Sequence, residues 1–431
     1  MATTTATTTT PPATDDAGLD QEIDAWLERN WDPDLTVAEW WERVGDAGWT
    51  APHFPLEWRG RGYTRRAQVT VFRAFRAHGA LPPPSGLGMM MAAPTILTHG
   101  TPEQIERHVM PIYRGTLAWC QLFSEPGAGS DLAGLTTRAT RDGDHWVING
   151  QKVWSSQAME ADYGMLLART DFDAPKHAGI SWFALPLDQA GVTIRPLREM
   201  TGRALFNEVF FDDAVVADAD LIGGVNNGWA VANTTLLFER TSIGAGGGMG
   251  ASAAPGPKGG VLDRRAGDVA ALPAQEASRG LVVAELITLA RERGRSDDPH
   301  LRQKLARVVS LSRIGEWTAA RMKAEAARGG NIAGVANLAK NAQTIMMKLG
   351  AETALDILGP ESLLWGADAP ENGRYAELFN FVRCMSIAGG SDEINKNVVG
   401  ERALGLPREP NVDKGVPFRD VLARTKPAAA G

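Results

Sequence analysis

Phe123-Ser-Glu-Pro-Gly-Ala-Gly-Ser-Asp131 stands within the first third of the chain, directly after the apolar run Trp119-Cys-Gln-Leu122. Its centre, Pro126-Gly127-Ala128-Gly129-Ser130, reads as a tight turn whose small residues leave several backbone N–H groups uncovered. Such a nest can hold a phosphate, with the Ser130 hydroxyl as one more donor. Taken alone, the same stretch reads equally well as a structural glycine turn, because short glycine motifs recur without ligands. Its surroundings therefore carry the weight.

Upstream, the pattern is helical. Leu19, Ile23, Trp26 and Leu27 share one face, and further helices are expected at Asp34–Val44 and Pro102–Val109, the latter with Thr101 as cap. Downstream the period changes. Thr136–Thr140, an Asp142-Gly143 turn and His145–Ile148 read as a hairpin, with a second turn at Asn149-Gly150. Apolar strands follow at Tyr163–Leu167, Ile180–Leu185, Val192–Ile194 and Glu208–Phe211. After Gly223-Gly224 helices return, with Trp229–Arg240 as one of them and Leu338, Ala342, Ile345 and Leu349 as an apolar stripe on another. The expected division is a disordered Thr-rich tail (1–18), an N-terminal helical domain (19–118), a central β domain (119–222), a C-terminal helical domain (223–405) and a surface arm (406–431).

Composition narrows the class. The 431 residues carry 44 Lys+Arg against 51 Asp+Glu, a formal charge of −7, which gives no general attraction to nucleic acid or anionic membrane. Two cysteines, Cys120 and Cys384, supply neither a disulfide framework nor a four-thiolate zinc site. No apolar run is long enough to span a bilayer, and the opening residues lack the regions of a signal peptide. A soluble cytoplasmic enzyme is expected, with no metal.

The stretch 123–131, followed by Asn149-Gly-Gln-Lys-Val-Trp154-Ser155-Ser156, closely resembles the signature of the acyl-CoA dehydrogenase family. Gly389-Gly-Ser-Asp-Glu-Ile-Asn395 with Gly400-Glu-Arg402 resembles that family's closing motif. The resemblance covers about residues 19 to 410. It implies an α+β fold in which a central β-barrel lies between an N-terminal helical domain and a C-terminal helical bundle, and it implies FAD as cofactor. By the same resemblance, Gln121, Phe123 and Ser124 line the flavin, and Gly129 and Ser130 form the phosphate-contacting turn, Ser130 also facing substrate. Trp154 packs beside the flavin, Ser156 bonds flavin N5, and Ser391 and Glu393 touch the adenosine end. The plainer reading of Trp154 is a core aromatic.

The implied reaction removes an α proton from an acyl-CoA while the β hydride leaves to FAD. It needs a carboxylate base and donors that polarise the thioester carbonyl. The resemblance makes those donors a flavin ribityl hydroxyl and the backbone N–H of Gly389. The commoner family base would stand at Gly389 itself and is absent. Other members carry it on the first helix after the β block, before an arginine, where this chain has Leu236-Leu-Phe-Glu239-Arg240. Glu239 is therefore expected as base and Arg240 as a CoA-side contact, against the alternative of a surface Glu-Arg pair. The family's Arg-x-x-Phe-Gly element is also missing, and Arg291, Arg293, Arg295 and Arg302 are candidates to replace its charge.

Gly246-Gly-Gly-Met-Gly-Ala251 fits a dinucleotide fingerprint only formally, since it follows a helix rather than a strand. Met89-Met90-Met91 reads as core filler, and the resemblance implies that this helical region can also border an acyl tunnel. The expected partners are an acyl-CoA thioester and an electron-transferring flavoprotein as acceptor, within a homodimer or homotetramer. Two alternatives share the scaffold: a non-catalytic partner subunit of a heteromeric dehydrogenase, and a flavin oxidase or monooxygenase.

Overall fold

The computed structural model describes residues 18–64, 66–244, 255–272, 283–328 and 334–425. The expected N-terminal tail and the Gly246–Ala251 motif lie outside the described residues, apart from Gly18.

Thr101 opens its helix as the sequence implies, whereas the helix expected from Asp34 begins only at Val37, with Thr36 as its cap. Each hydroxyl accepts the backbone N–H three residues on, and Glu39 or Gln104 answers the cap N–H, closing a capping box. The first region holds α1 (Leu19–Asn30), α2 (Val37–Asp46), α3 (Ala67–Ala77), α4 (Ala93–His99) and α5 (Pro102–Tyr113). Trp40, Trp41, Trp49 and Phe75 form its buried centre. A π-turn over Gly88–Ala92 leads into α4 and carries the three methionines, of which Met91 is buried.

Eight strands follow: β1 (Trp119–Leu122), β2 (Arg138–Asp142), β3 (His145–Ser156), β4 (Tyr163–Arg169), β5 (Ile180–Pro186), β6 (Val192–Leu197), β7 (Phe206–Ala217) and β8 (Leu221–Ile222). They form one sheet in the order β6-β7-β3-β2-β4-β5-β8, with β1 parallel to β4. The barrel implied by the resemblance is not closed. β6 pairs only with β7, and the two-residue β8 pairs only with β5, so the end strands never meet. The sheet instead curls around Leu122, Ile148, Leu166, Phe183 and Val209. The expected turn at Asn149-Gly150 is absent too: β3 runs through it, and the register against β7 slips there as a bulge.

The last region begins with α6 (Gly228–Gly244) and α7 (Ala266–Ala270) and continues with α8 (Val283–Glu292), α9 (Pro299–Ala327), α10 (Val335–Leu358), α11 (Arg374–Phe381) and α12 (Asp392–Val398). α7 joins the N-terminal core through Ala266 and Val269, while α8, α9 and α10 build a bundle core of their own. The stripe expected on α10 is not a buried one, since Leu338 and Ile345 remain 52% and 48% exposed. A final helix, α13 (Phe418–Thr425), does not trail off as a surface arm; Phe418 is buried against the β domain. Among the described residues no helix is long and apolar enough to cross a membrane.

Candidate active site

The turn after β1 is built by two reciprocal backbone bonds between Glu125 and Ala128, each 3.0 Å. Gly127, Gly129 and Ser130 face outward. Among the described residues no acceptor takes their N–H groups, which leaves the nest open to an anion. A buried ion pair fixes this turn. Lys152 is fully buried, and its Nζ donates to Glu125 Oε1 at 2.8 Å and to the Phe123 carbonyl at 2.9 Å. Glu125 also accepts from the backbone N–H groups of Thr136 and Thr137 at 2.7 and 2.9 Å. Burial alone would raise the Glu125 carboxyl, but Lys152 and these donors outweigh it and hold it down to about 2.

Lys152 faces inward on the same side of β3 as Trp146 and Ile148, and the strand is bulged just beyond it. The register slips between Lys152 and Ser155, Trp154 takes φ 61°, and its indole swings out to 58% exposure. A tryptophan held at positive φ and turned to solvent is not a core aromatic. It marks a surface shaped for contact. Phe206 meets its ring edge-on at 5.8 Å. Ser156, also half-exposed, ends the strand beside it.

On α6, Val231 and Thr235 are buried, and Glu239 continues that face one turn further as a half-buried residue. Thr235 anchors the helix to α4 through the Thr95 hydroxyl at 3.1 Å. The result is a meeting of distant segments: the Gln121 amide of β1 donates to Glu239 Oε2 at 3.3 Å across 118 residues of sequence. Glu239 thus sits against the strand that carries Phe123 and Ser124. Glu239 is half-buried, and the Arg240 side chain lies outside the described residues.

Ser391 and Glu393 belong to a different cluster. The Ser391 hydroxyl caps α12, accepting from Ile394 N at 3.3 Å, and Glu393 is exposed. Asp392 beside them pairs with Lys340 of α10 at 3.1 Å. Gly389 has φ 65°, with nothing within 4 Å of where a Cβ would stand. Of the arginine candidates, Arg293 bonds Glu361 at 2.5 Å, Arg295 pairs with Asp298 at 2.9 Å and Arg302 caps the Ser296 carbonyl at 3.3 Å. Arg291 is exposed and makes no ion pair among the described residues. Cys120 is inert, its thiol pushed up to about 12 by burial.

Reading the sequence missed Glu125 and Lys152, although both lie inside the motifs it singled out. It also missed Arg169. The available signal was a carboxylate and a lysine embedded in otherwise small and apolar strand segments.

Three family descriptions match in order: acyl-CoA dehydrogenase N-terminal domain over residues 17–116, middle domain over 120–214 and C-terminal domain over 263–404. Acyl-CoA dehydrogenase IpdE1 of Mycobacterium tuberculosis is 37% identical over 374 residues, 86% of this chain and 88% of the relative. Acyl-CoA dehydrogenase FadE34 of the same organism is 39% identical over 366 residues, 85% of this chain but 46% of the relative, so the chain spans just under half of that protein. Among solved structures, the steroid ACAD Tcur3481-Tcur3483 matches with a TM-score of 0.69 at 27% identity, covering 91% of this chain and 97% of that one. The ChsE4-ChsE5 complex from Mycobacterium tuberculosis matches with a TM-score of 0.65 at 26% identity, covering 91% and 97%. The chain belongs to the acyl-CoA dehydrogenase family, whose members are FAD-dependent oxidoreductases.

Proposed function

We propose that the protein binds FAD and introduces an α,β double bond into an acyl-CoA thioester, with Glu239 as the α-proton base. The observation that supports this best is the convergence of Glu239 with Gln121, which brings a carboxylate from α6 to the flavin-side strand. The residues present fit the cofactor. The open nest at Gly129 and Ser130 suits a phosphate, Trp154 and Ser156 offer an outward aromatic face and a hydroxyl, and Gln121, Phe123 and Ser124 lie along β1 and its end. Ser391 and Glu393 would serve the adenosine end. FAD, when bound, supplies the acceptor for the β hydride.

The chain's own residues perform the remaining work. Glu239 takes the α proton. The Gly389 N–H, kept reachable by a glycine with no side chain over it, polarises the thioester carbonyl as negative charge gathers there. Ser130 and Arg240 serve the CoA side. Met89 and Met90, packed with Leu236 against the same core, border the acyl group. Because a solved relative carries the description steroid ACAD, a bulky polycyclic acyl group belongs in the first substrate panel.

An electron-transferring flavoprotein is the proposed acceptor, and a cytoplasmic homodimer or homotetramer the proposed assembly. Exposed Trp317, Leu363 and Trp365 give such an assembly apolar surface. A partner subunit without chemistry is not favoured, given where Glu239 is held. The division of the chain into helical, β and helical domains at 118/119 and 222/223 is kept as part of the same proposal.

The deciding experiment is anaerobic addition of acyl-CoA thioesters, linear, branched and steroid-derived, to the purified protein while the flavin spectrum is followed. Loss of long-wavelength flavin absorbance supports the reading, and a protein that carries no flavin or is reduced by no thioester overturns it. Trp154→Ala offers a separate check. Its side chain is mostly exposed, so the thermal midpoint should move by no more than about 2–4 °C. The flavin-to-protein absorbance ratio of the purified variant should nevertheless fall.

A further inference from the structure

The segment after residue 404 lies beyond the matched C-terminal family region, yet it is docked on the β domain. Phe418 N donates to the Ala174 carbonyl at 3.0 Å and Arg419 N to the Phe172 carbonyl at 2.9 Å, while Pro417 bridges Pro175. This seats the Phe418 ring, 1% exposed, 3.5 Å from the guanidinium carbon of Arg169. Arg169 is itself fully buried at the end of β4. Its three nitrogens donate to the carbonyls of Leu135 (3.1 Å), Lys176 (3.1 Å) and Ala133 (2.6 Å). Lys176 in turn pairs with Asp131, the residue after Ser130.

These contacts form one connected path. The guanidinium grips both the turn that leaves the nest and the β4–β5 loop facing it, and the aromatic face of Phe418 covers the guanidinium. A buried cation whose hydrogen bonds all go to neutral carbonyls gains from a ring face placed against it. Without the ring it would draw in water and loosen its hold on three carbonyls.

We propose that residues 405–425 act as a strap, with Phe418 as a positioning residue that sets the Ser130–Leu135 wall of the thioester site through Arg169. This rests on the proposed function for its ligand, but not for its mechanics. No catalytic role follows for Phe418, which touches neither the nest nor Glu239.

The test compares Phe418→Ala, Phe418→Leu and Phe418→Tyr in the full-length, flavin-loaded protein. Two readouts are taken: isothermal titration with free coenzyme A, and amide hydrogen exchange over residues 130–137. Alanine and leucine are expected to weaken coenzyme A binding by up to about tenfold, the range a desolvated cation–π contact can supply. Both should speed exchange of the loop while flavin content and the saturated rate of flavin reduction are kept. Tyrosine, which retains the ring face, should restore both. Unchanged exchange over 130–137 in the alanine variant overturns the strap, as does leucine behaving like phenylalanine. Loss of flavin and coenzyme A together would show a general structural role and also overturn it. If the unaltered protein binds no coenzyme A, the proposed substrate fails, and the exchange comparison still decides the strap.

Discussion

Glu239→Gln is expected to retain both flavin and acyl-CoA while slowing anaerobic flavin reduction roughly 10²–10⁴-fold, the usual contribution of a positioned general base. The change is nearly isosteric. The buried anchors of α6, Val231 and Thr235, are untouched, so the helix keeps its seat against α4 and β5. The contact to Gln121 survives as well, because a glutamine carbonyl accepts the same amide hydrogen bond that Glu239 Oε2 now accepts at 3.3 Å. What disappears is the ability to take a proton. The loss should therefore appear in the rate at saturating thioester and not in its dissociation constant. It should also appear as lost exchange of the substrate α proton with deuterated solvent, which reports proton removal without flavin turnover. A variant that bleaches at the full rate would place the base elsewhere and remove the main support for the proposed chemistry.

How much of this was legible in the chain depends on the range of the interaction concerned. Thr101 with Pro102, and the glycine turn at 126–130, are spelled by local residue chemistry and read correctly. The alternation from helical to strand period near Trp119 and back after Gly224 is likewise local. Asn149-Gly150 shows where local rules lose: the dipeptide favours a tight turn, but pairing of β3 with β7 on both sides carries the strand through it as a bulge. Barrel closure was not readable because it depends on whether β6 and β8, each paired on one side only, find one another. The α10 stripe shows a similar gap. Periodicity identifies residues that share a face, and says nothing of what, if anything, covers it. Lysine is ordinarily a surface residue, so nothing near Lys152 announces that its ammonium lies in the interior. The reason is Glu125, 27 residues away, on the loop that β3 must hold.

That pair yields the second large expectation. Lys152→Met should destabilise the protein by about 3–5 kcal/mol near neutral pH, because it leaves a buried carboxylate facing its neighbours without its counter-charge. The pH dependence identifies the cause. In the unaltered protein the Glu125 carboxyl lies near 2 against an ordinary 4.5, so its stabilising contribution is present above about pH 4.5 and is lost as the pH falls toward 2. Burial is the largest single influence on Glu125 even now, and with Lys152 gone only the Thr136 and Thr137 donors oppose its upward push, so the carboxyl is expected to rise above its ordinary value. A group raised on folding stabilises below its unfolded value and loses that contribution as the pH climbs. The deficit of the variant should accordingly widen between pH 4.5 and 7, read as the difference in thermal midpoint at each pH. A deficit that stays constant over that range would assign the loss to packing instead. Glu125→Gln added to Lys152→Met then separates charge from shape. The amide removes the uncompensated charge, and its single oxygen can still accept from Thr136 or from Thr137 but not from both, so part of the midpoint should return. Flavin retention should return with it, since the bonds that close the Glu125–Ala128 turn depend on where that side chain is held.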